Sequence, residues 1–202
     1  SRDHQDLQTQ DHRHRQAALH EPYESDTLDL SHTGMDPGHV LLLSWWLTTD
    51  AGAAVARLIL DENPLTGGTW RDVDKDITGV TSLFDTLKTS SVTELGLAKC
   101  RLGPGSLGKL AEYVREAEAV VTSINCLANQ FGEEDLATLL TAIEGTSVRS
   151  LCGLTEGQTV ADFSKQNLKP IDCKIIAAEF GFQGFIAAVT SINCLHNPLG
   201  DG

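Results

Sequence analysis

The stretch VTSINCLHNPLG at residues 189–200 closely repeats VTSINCLANQFG at residues 121–132. Nine of the twelve positions are identical, and the two copies lie 68 residues apart. Together they define the pattern V-x-x-I-x-C-x-x-N-x-[FL]-G. A chain that repeats such a pattern is expected to build the same structural unit more than once. The pattern therefore predicts further copies upstream.

Four further segments carry the same spacing of apolar residues. The clearer copies are VARLILDENPLTG at 55–67 and VTELGLAKCRLG at 92–103, and the looser ones are TLDLSHTGM at 27–35 and VADFSKQNLKP at 160–170. The second apolar position of the six copies falls at residues 28, 58, 95, 124, 161 and 192. The intervals are 30, 37, 29, 37 and 31 residues. The sequence therefore predicts six units of about 30 residues, with two insertions.

This pattern resembles the leucine-rich repeat, whose consensus is L-x-x-L-x-L-x-x-N/C-x-L. The polar position of the consensus is filled in four copies, by Asn63, Cys100, Asn129 and Asn197. Thr33 and Gln166 depart from it. Repeats of about 29 residues with full helices are similar to the ribonuclease-inhibitor subtype. The resemblance implies an α/β solenoid, a curved horseshoe with parallel strands on the concave face and helices on the convex face.

The residue types at these positions also have a physical reason. Alternate side chains of a short strand point to the same side, so Leu58 and Leu60 are predicted to line the core. Where the chain turns away from the strand, backbone N–H and C=O groups lose their ladder partners. A buried asparagine can both donate to and accept from such groups, and a thiol is a smaller, weaker substitute. The four polar residues are therefore predicted to lie in equivalent, stacked turns, which together form a structural turn ladder.

The segments between the predicted strands show apolar residues at helical spacing. The last of them is predicted to bury one face, formed by Ile171, Ile175, Ala178 and Phe182. In the first of them, Trp45 or Trp46 is expected to pack outward against a neighbour. Helices are predicted within residues 36–52, 77–87, 104–119, 133–145 and 170–185.

The chain is predicted to have two parts. Residues 1–25 show no apolar period and are dense in His, Asp and Gln, which predicts a flexible N-terminal arm. Residues 26–202 form the predicted leucine-rich repeat domain, with insertions near 67–76 and near 147–158. The second insertion is interpreted as a degenerate strand or an enlarged loop, where the helical stack is expected to bend or open. No C-terminal cap is recognisable, so another subunit or further sequence is expected to complete the end.

The charge and the apolar content of the chain limit the classes of partner that we expect. The chain has 202 residues, 28 acidic and 15 basic side chains and a formal net charge of −13. This charge repels phosphate backbones, so nucleic acid is not an expected partner. It favours a basic protein partner, although acidity can also simply maintain solubility. The longest apolar run, VLLLSWWL at 40–47, is well short of the roughly 20 residues that span a bilayer, so no transmembrane segment is predicted.

The five cysteines are scattered without metal-ligand spacing, which favours a reducing intracellular compartment. Two other clusters were candidates for a cation. Asp72, Asp74 and Asp76 take positions 1, 3 and 5 of an EF-hand-like loop, but Ile77 and Leu83 replace the required Gly and Glu. The second cluster lies in the arm, with His12, His14, His20, Asp3, Asp6 and Asp11. A solvated loop and an arm without a rigid frame are the preferred interpretations, and no cofactor or metal is predicted.

The sequence shows no enzyme signature, since it has no glycine-rich nucleotide loop and most of its cysteines fall on inward or turn positions. It therefore predicts a non-enzymatic scaffold for protein–protein interaction, an accessory subunit of a larger assembly. One alternative, implied by the resemblance, is a regulator of a partner enzyme, of the inhibitor or GTPase-activator type. The other is a metal-responsive binding module. The candidate partner-binding residues are Trp70, Arg71, Arg57, Asn125 and Asn193.

Overall fold

A computed structural model describes residues 25–118, 120–182 and 184–199. The arm histidines and almost all of the predicted arm lie outside the described residues. Strands and helices alternate along the chain, which confirms the predicted α/β class. The strands are β1 (Thr27–Asp29), β2 (Arg57–Ile59), β3 (Glu94–Gly96), β4 (Ser123–Asn125), β5 (Val160–Asp162) and β6 (Ser191–Asn193). The helices are α1 (Pro37–Leu47), α2 (Thr78–Leu87), α3 (Pro104–Glu116), α4 (Glu133–Ile143) and α5 (Pro170–Gly181), and a 3₁₀ turn (Phe185–Ala188) follows α5.

The strands pair in parallel and form two sheets. The first has the order β1-β2-β3-β4, and the second pairs β5 with β6. Parallel strands need a long crossover, and here the connections inside each sheet contain a helix. The residues at the centres of the strands are in register: Leu28 with Leu58, Leu58 with Leu95, Leu95 with Ile124, and Ala161 with Ile192.

The hydrophobic core lies between the strands and the helices. The central residues Leu58 and Ile124 are fully buried, whereas their neighbours Arg57 and Asn125 face away from the core, as the alternation of a strand requires. On the helix side, α1 packs on α2, α2 on α3 and α3 on α4. The rings of Phe84 in α2 and Tyr113 in α3 stack with their centroids 5.8 Å apart.

The two sheets are separated at the second predicted insertion. Ser150 and Cys152 form isolated bridges to β4, at Ser123 and Asn125. The amide of Ile124 donates to the carbonyl of Ser150 at 2.9 Å. This segment therefore extends the first sheet by a short, irregular stretch. It is followed by β5, with which it shares no strand pairing in the described part of the chain.

Helix α5 buries part of the predicted face together with residues beside it. Ile175 is fully buried, and Ile171 and Phe182 are half-buried against the core. The other buried residues of the helix are Ile176 and, unusually for acidic side chains, Asp172 and Glu179. In this helix two carboxylates point inward because the break between the sheets leaves backbone N–H groups that need acceptors.

The contacts of these two carboxylates explain why they are buried. Asp172 Oδ1 accepts a hydrogen bond from the amide of Ala128 at 2.7 Å. Glu179 Oε1 accepts from the amides of Leu151 and Cys152 at 2.6 and 2.8 Å. Its other oxygen, Oε2, is buried without a hydrogen-bond partner among the described residues. The carboxylates of α5 therefore take over part of the hydrogen bonding that a neighbouring strand would supply.

None of the helices in residues 25–118, 120–182 and 184–199 has both the length and the apolar composition needed to cross a membrane.

Candidate functional site

The predicted turn residues make the same hydrogen bonds in different parts of the chain. The amides of Asn63, Asn129 and Asn197 donate from Nδ2 and accept at Oδ1. Each also donates to the carbonyl three residues earlier in its own turn. Each Nδ2 reaches back to the equivalent carbonyl after the preceding strand, at 2.8, 2.8 and 2.7 Å: Leu30, Leu97 and Phe163.

Cys100 occupies the same place with a weaker donor. Its thiol lies 3.2 Å from the carbonyl of Leu60, which is the equivalent acceptor after β2. Burial raises the pKa of this thiol far above its ordinary value, so it is held as the neutral S–H form. The pKa of the Cys126 and Cys152 thiols is raised in the same way, mainly by burial. Such thiols are poor nucleophiles.

The backbone adopts one conformation at each of these turns. The residue four positions after each strand centre has a positive φ of 55–61°, in the left-handed region. Its N–H donates to the turn after the next strand, for example from Lys99 to the carbonyl of Leu127 at 3.1 Å. At the break between the sheets, the equivalent residue Ala128 donates to the carboxylate of Asp172 instead. The turns are therefore continuous except at that point.

Two of the predicted partner-binding residues are engaged within their own turns. Asn125 Oδ1 accepts from the amide of Leu127 at 3.3 Å, and Asn193 Oδ1 accepts from the amide of Leu195 at 3.1 Å. Such Asx turns are a common way to end a strand. They lie in different sheets, so the structure does not bring these two residues together.

Arg57 lies on the exposed face of the first sheet beside Glu94, with its Nε 3.3 Å from a carboxylate oxygen. Next to this pair is a depression of about 70 Å³, lined also by Asp61, Gly96 and Asn125. Gly96, at the last position of β3, has no side chain that could accept a hydrogen bond from the amide two residues later, as Asn125 and Asn193 do. Asp61 takes this role instead, since it accepts from the amide of Ala98 at 2.8 Å. Burial raises the pKa of Asp61.

The acidic loop predicted as an insertion has a structural role through Asp74. Helix α3 begins after Gly103, which carries no side chain that could cap it. Asp74 Oδ1 accepts from the amide of Gly103 at 2.9 Å, and Oδ2 accepts from the amide of Ser106 at 3.0 Å. A β-carbon at Gly103 would lie 2.6 Å from Cγ2 of Val73 and 2.8 Å from Oδ2 of Asp74, so the loop would have to shift to accept a larger residue. The loop thus supplies the N-terminal cap of a helix from elsewhere in the chain.

The same loop also contains Trp70 and Arg71, and Trp70 contacts the turns that follow β3 and β4. The guanidinium of Arg101 lies 5.9 Å from the centre of the Trp70 ring, and its Nη1 donates to the carbonyl of Gly68 at 2.5 Å. The side-chain amide of Gln130 donates to the carbonyl of Trp70. Trp70 remains 44% exposed and Arg71 is exposed. The sequence could not indicate Arg101 or Gln130, because nothing in their spacing relates them to the loop.

Helix α1 carries the most exposed of the large aromatic side chains in the described residues. Trp45 is 68% exposed and Leu42 is 65% exposed, and Leu41 lies beside them. Trp46, by contrast, packs partly against the core. Of the two tryptophans that the sequence placed at the outside, the structure therefore exposes Trp45.

The remaining candidate chemistry is limited. Within the described ranges no group of three or more His, Cys, Asp or Glu side chains is arranged to hold a metal ion. The histidine cluster of the predicted arm is outside those ranges. No protein-family model matches this chain. A comparison with curated proteins likewise gives no match.

Proposed function

We propose that the protein is a non-enzymatic scaffold for protein–protein interaction and that the outer face of helix α1 is its principal contact surface. The observation that carries this proposal is the exposure of Leu41, Leu42 and Trp45 side by side on one helix.

The composition of α1 is unusual for a helix at a surface. Its eleven residues, PGHVLLLSWWL, include no Asp, Glu, Lys or Arg, so the helix is apolar on nearly all sides. Val40, Leu43 and Leu47 face the core, and the apolar residues on the other side face solvent. A helix that is apolar all round is normally buried. Tryptophan is also among the residues that contribute most to binding at protein interfaces.

The charges around α1 indicate the chemistry of the partner. Asp36 caps the start of the helix, and Asp50 lies just beyond its end. The chain as a whole carries a formal charge of −13. A partner that offers an apolar cleft surrounded by Lys and Arg side chains would match both features. Trp70, whose ring lies 5.9 Å from the guanidinium of Arg101, is the second exposed aromatic residue that we assign to partner binding.

We infer that the architecture presenting these surfaces is a leucine-rich repeat solenoid of the ribonuclease-inhibitor type. Three observations support this: the register of the strand centres, the shared backbone conformation of the turns and the equivalent hydrogen bonds of Asn63, Asn129 and Asn197. Solenoids of this kind offer extended surfaces for partners.

The proposal is tested by affinity purification of the full chain from an extract of its native cells, with quantitative mass spectrometry. Trp45→Ala and Leu42→Glu change the α1 face, and Phe180→Ala is the matched control because Phe180 is 56% exposed on α5. We expect the unchanged chain and the control to recover the same partner. The two α1 variants should recover at most about a tenth as much.

Each variant must first show the unfolding midpoint of the unchanged chain, because the comparison needs folded protein. The proposal fails if the α1 variants recover the partner as well as the control does. It also fails if the unchanged chain is recovered only as a free monomer.

A further inference from the structure

The helix layer opens between α4 and α5. The ammonium group of Lys174 in the second turn of α5 forms an ion pair with Glu133 at the start of α4. Further along, the two helices are not closely packed on each other in the described residues. The opening is a cavity of about 710 Å³. Its walls include Leu140, Ile143, Ala178 and Phe182, and we call it the α4–α5 groove.

The lining of the groove is about half apolar and half polar. Leu140 and Ile143 belong to α4, Ala178 lies on α5 and Phe182 follows α5, while Val148 closes the base from the segment after α4. Ile143 and Val148 are part of the hydrophobic core. The volume falls in the range of about 300–1,000 Å³ that is typical of sites for small molecules. The groove is therefore large enough for a ligand with an apolar body.

The groove is also held open by rigid contacts. Asp172 and Glu179 fix α5 to the turn after β4 and to residues 150–152 through short hydrogen bonds. Both side chains are fully buried. These hydrogen bonds hold α5 in place against the two segments, so the groove is preformed. A preformed site loses less conformational freedom on binding.

One cationic group stands at the edge of the groove. Arg149 is exposed, and its Nη1 donates to the carbonyls of Thr146 and Val148 at 2.8 Å. These two bonds fix the guanidinium in place and leave its other nitrogens available. No carboxylate lies within ion-pair distance of Arg149 among the described residues, although Glu144 lines the same groove. In a chain with 28 acidic side chains, an arginine without an ion-pair partner beside a partly apolar groove provides a site for a small anion.

We propose that the α4–α5 groove binds a small anionic amphiphile, an acyl or aryl carboxylate. The apolar body lies between α4 and α5, and the carboxylate accepts hydrogen bonds from the guanidinium of Arg149. This site is separate from the α1 face and does not depend on the proposed scaffold function.

The test is calorimetric titration of the full chain with decanoate, and with 1-decanol as a neutral molecule of the same length. We expect saturable binding of one decanoate per chain. Binding of 1-decanol should be about tenfold weaker or more, because it cannot form the charge-assisted hydrogen bonds. Equal affinity for the two probes, or no heat that saturates at one equivalent, overturns the proposal.

Two pairs of variants locate the ligand. Arg149→Glu should weaken decanoate binding at least about tenfold, and Arg71→Glu should leave it unchanged, although both change the net charge equally. Ala178→Trp fills the groove and should abolish binding, whereas Phe180→Ala, on the same helix but outside the groove, should not affect it. Glu144→Gln should strengthen binding, since it removes a negative charge from the lining of the groove.

Arg149 is exposed, so Arg149→Glu is expected to fold even if Ala178→Trp does not. Unchanged affinity in folded Arg149→Glu overturns the proposal. Loss of binding in Trp45→Ala with retention in Ala178→Trp would place the probe on the α1 face and overturn it as well.

Discussion

Two nearly identical segments, 121–131 in the first sheet and 189–199 at the second, fold alike but are buried differently. Ile124 is fully buried, whereas its counterpart Ile192 is 44% exposed. Asn129 is buried, whereas Asn197 is only half-buried, although both make the same hydrogen bonds. The segment therefore determines the local strand and turn, and the elements packed against it determine how much it contributes to stability.

The neighbours of the two segments explain this difference. Strand β4 has β3 on one side and the bridged residues 150–152 on the other, and α3 and α4 pack on each other behind it. Strand β6 pairs only with β5 in the described residues. Hydrogen bonds of equal length are expected to count for more where water cannot replace them. This expectation can be tested by changing the same residue type in both sheets.

The largest expected effect is that of Asn129→Ala compared with Asn197→Ala. Asn129 accepts hydrogen bonds from the amides of Cys100 and Leu102 and donates to the carbonyls of Leu97 and Cys126. All of these groups are buried. Losing it should lower the free energy of unfolding by about 4 kcal/mol, and losing Asn197 should cost about 1 kcal/mol because water can reach the groups it leaves. Urea unfolding of both variants measures the two values. Equal losses would contradict the role given to the neighbours.

The second prediction concerns the connection between the two sheets. Glu179→Ala removes the acceptor of the Ser150 hydroxyl and of the Leu151 amide, and it leaves the Cys152 amide with only its longer bond to Ser150 Oγ. We expect a loss of about 3 kcal/mol and earlier exchange of the amide protons of β5 and β6 than of those in the first sheet. Glu179→Gln keeps one acceptor oxygen and should lose less. Uniform exchange in both sheets of Glu179→Ala would show that the carboxylate does not couple them.

A smaller effect is expected in the pH dependence of stability, to which two aspartates contribute with opposite sign. Burial raises the pKa of Asp61 in the first sheet, whereas hydrogen bonds from Ser164 lower the pKa of exposed Asp162 in the second. Because the folded state holds the Asp61 proton more tightly, this residue makes the protein less stable as the pH rises above the ordinary aspartate pKa. Asp61→Asn keeps the acceptor for Ala98 and removes the titration.

Asp61→Asn should therefore be more stable than the unchanged chain at pH 7 and equally stable below the ordinary pKa. Asp162 has the opposite sign: its contribution is present above the ordinary pKa and is lost as the pH falls through the lowered one. Thermal unfolding between pH 3 and pH 7 checks both. A stability difference for Asp61→Asn that does not change with pH would disprove the electrostatic cause.

The smallest expected difference concerns the thiols. Cys100, Cys126 and Cys152 are buried, whereas Cys173 and Cys194 are half-buried. Alkylation with iodoacetamide under native conditions should therefore modify Cys194 and Cys173 and spare the other three until the protein unfolds. Peptide mass spectrometry after timed quenching gives the rates. If Cys126 were modified as fast as Cys194, the thiols of the two repeated segments would be equally accessible to solvent.

The strand centres could be located from the sequence because they follow from a short periodic pattern. Leu58, Leu95 and Ile124 are paired in register, and Asn63 and Asn129 make the hydrogen bonds expected of buried turn amides. Such features depend on residues close together in the chain, whose period shows directly in the sequence.

The features that the sequence missed depend on contacts between distant residues. The burial of Asp172 and Glu179 is one such feature, since both carboxylates accept hydrogen bonds from amides at the break between the sheets. The predicted face of α5 is only partly buried for the same reason. Asp74 was considered as a calcium ligand, but its carboxylate caps a helix that begins 30 residues later. No spacing within a single segment carries this information.

The cap provided by Asp74 has a consequence for the length of the chain between the second and third strands. That interval is longer than its neighbours, and the extra residues would look dispensable to anyone shortening the protein to a uniform period. Removing them would also remove the carboxylate that caps the first turn of α3. The longer interval is thus part of the minimal folding unit, and a trimmed version would need a serine or aspartate in place of Gly103.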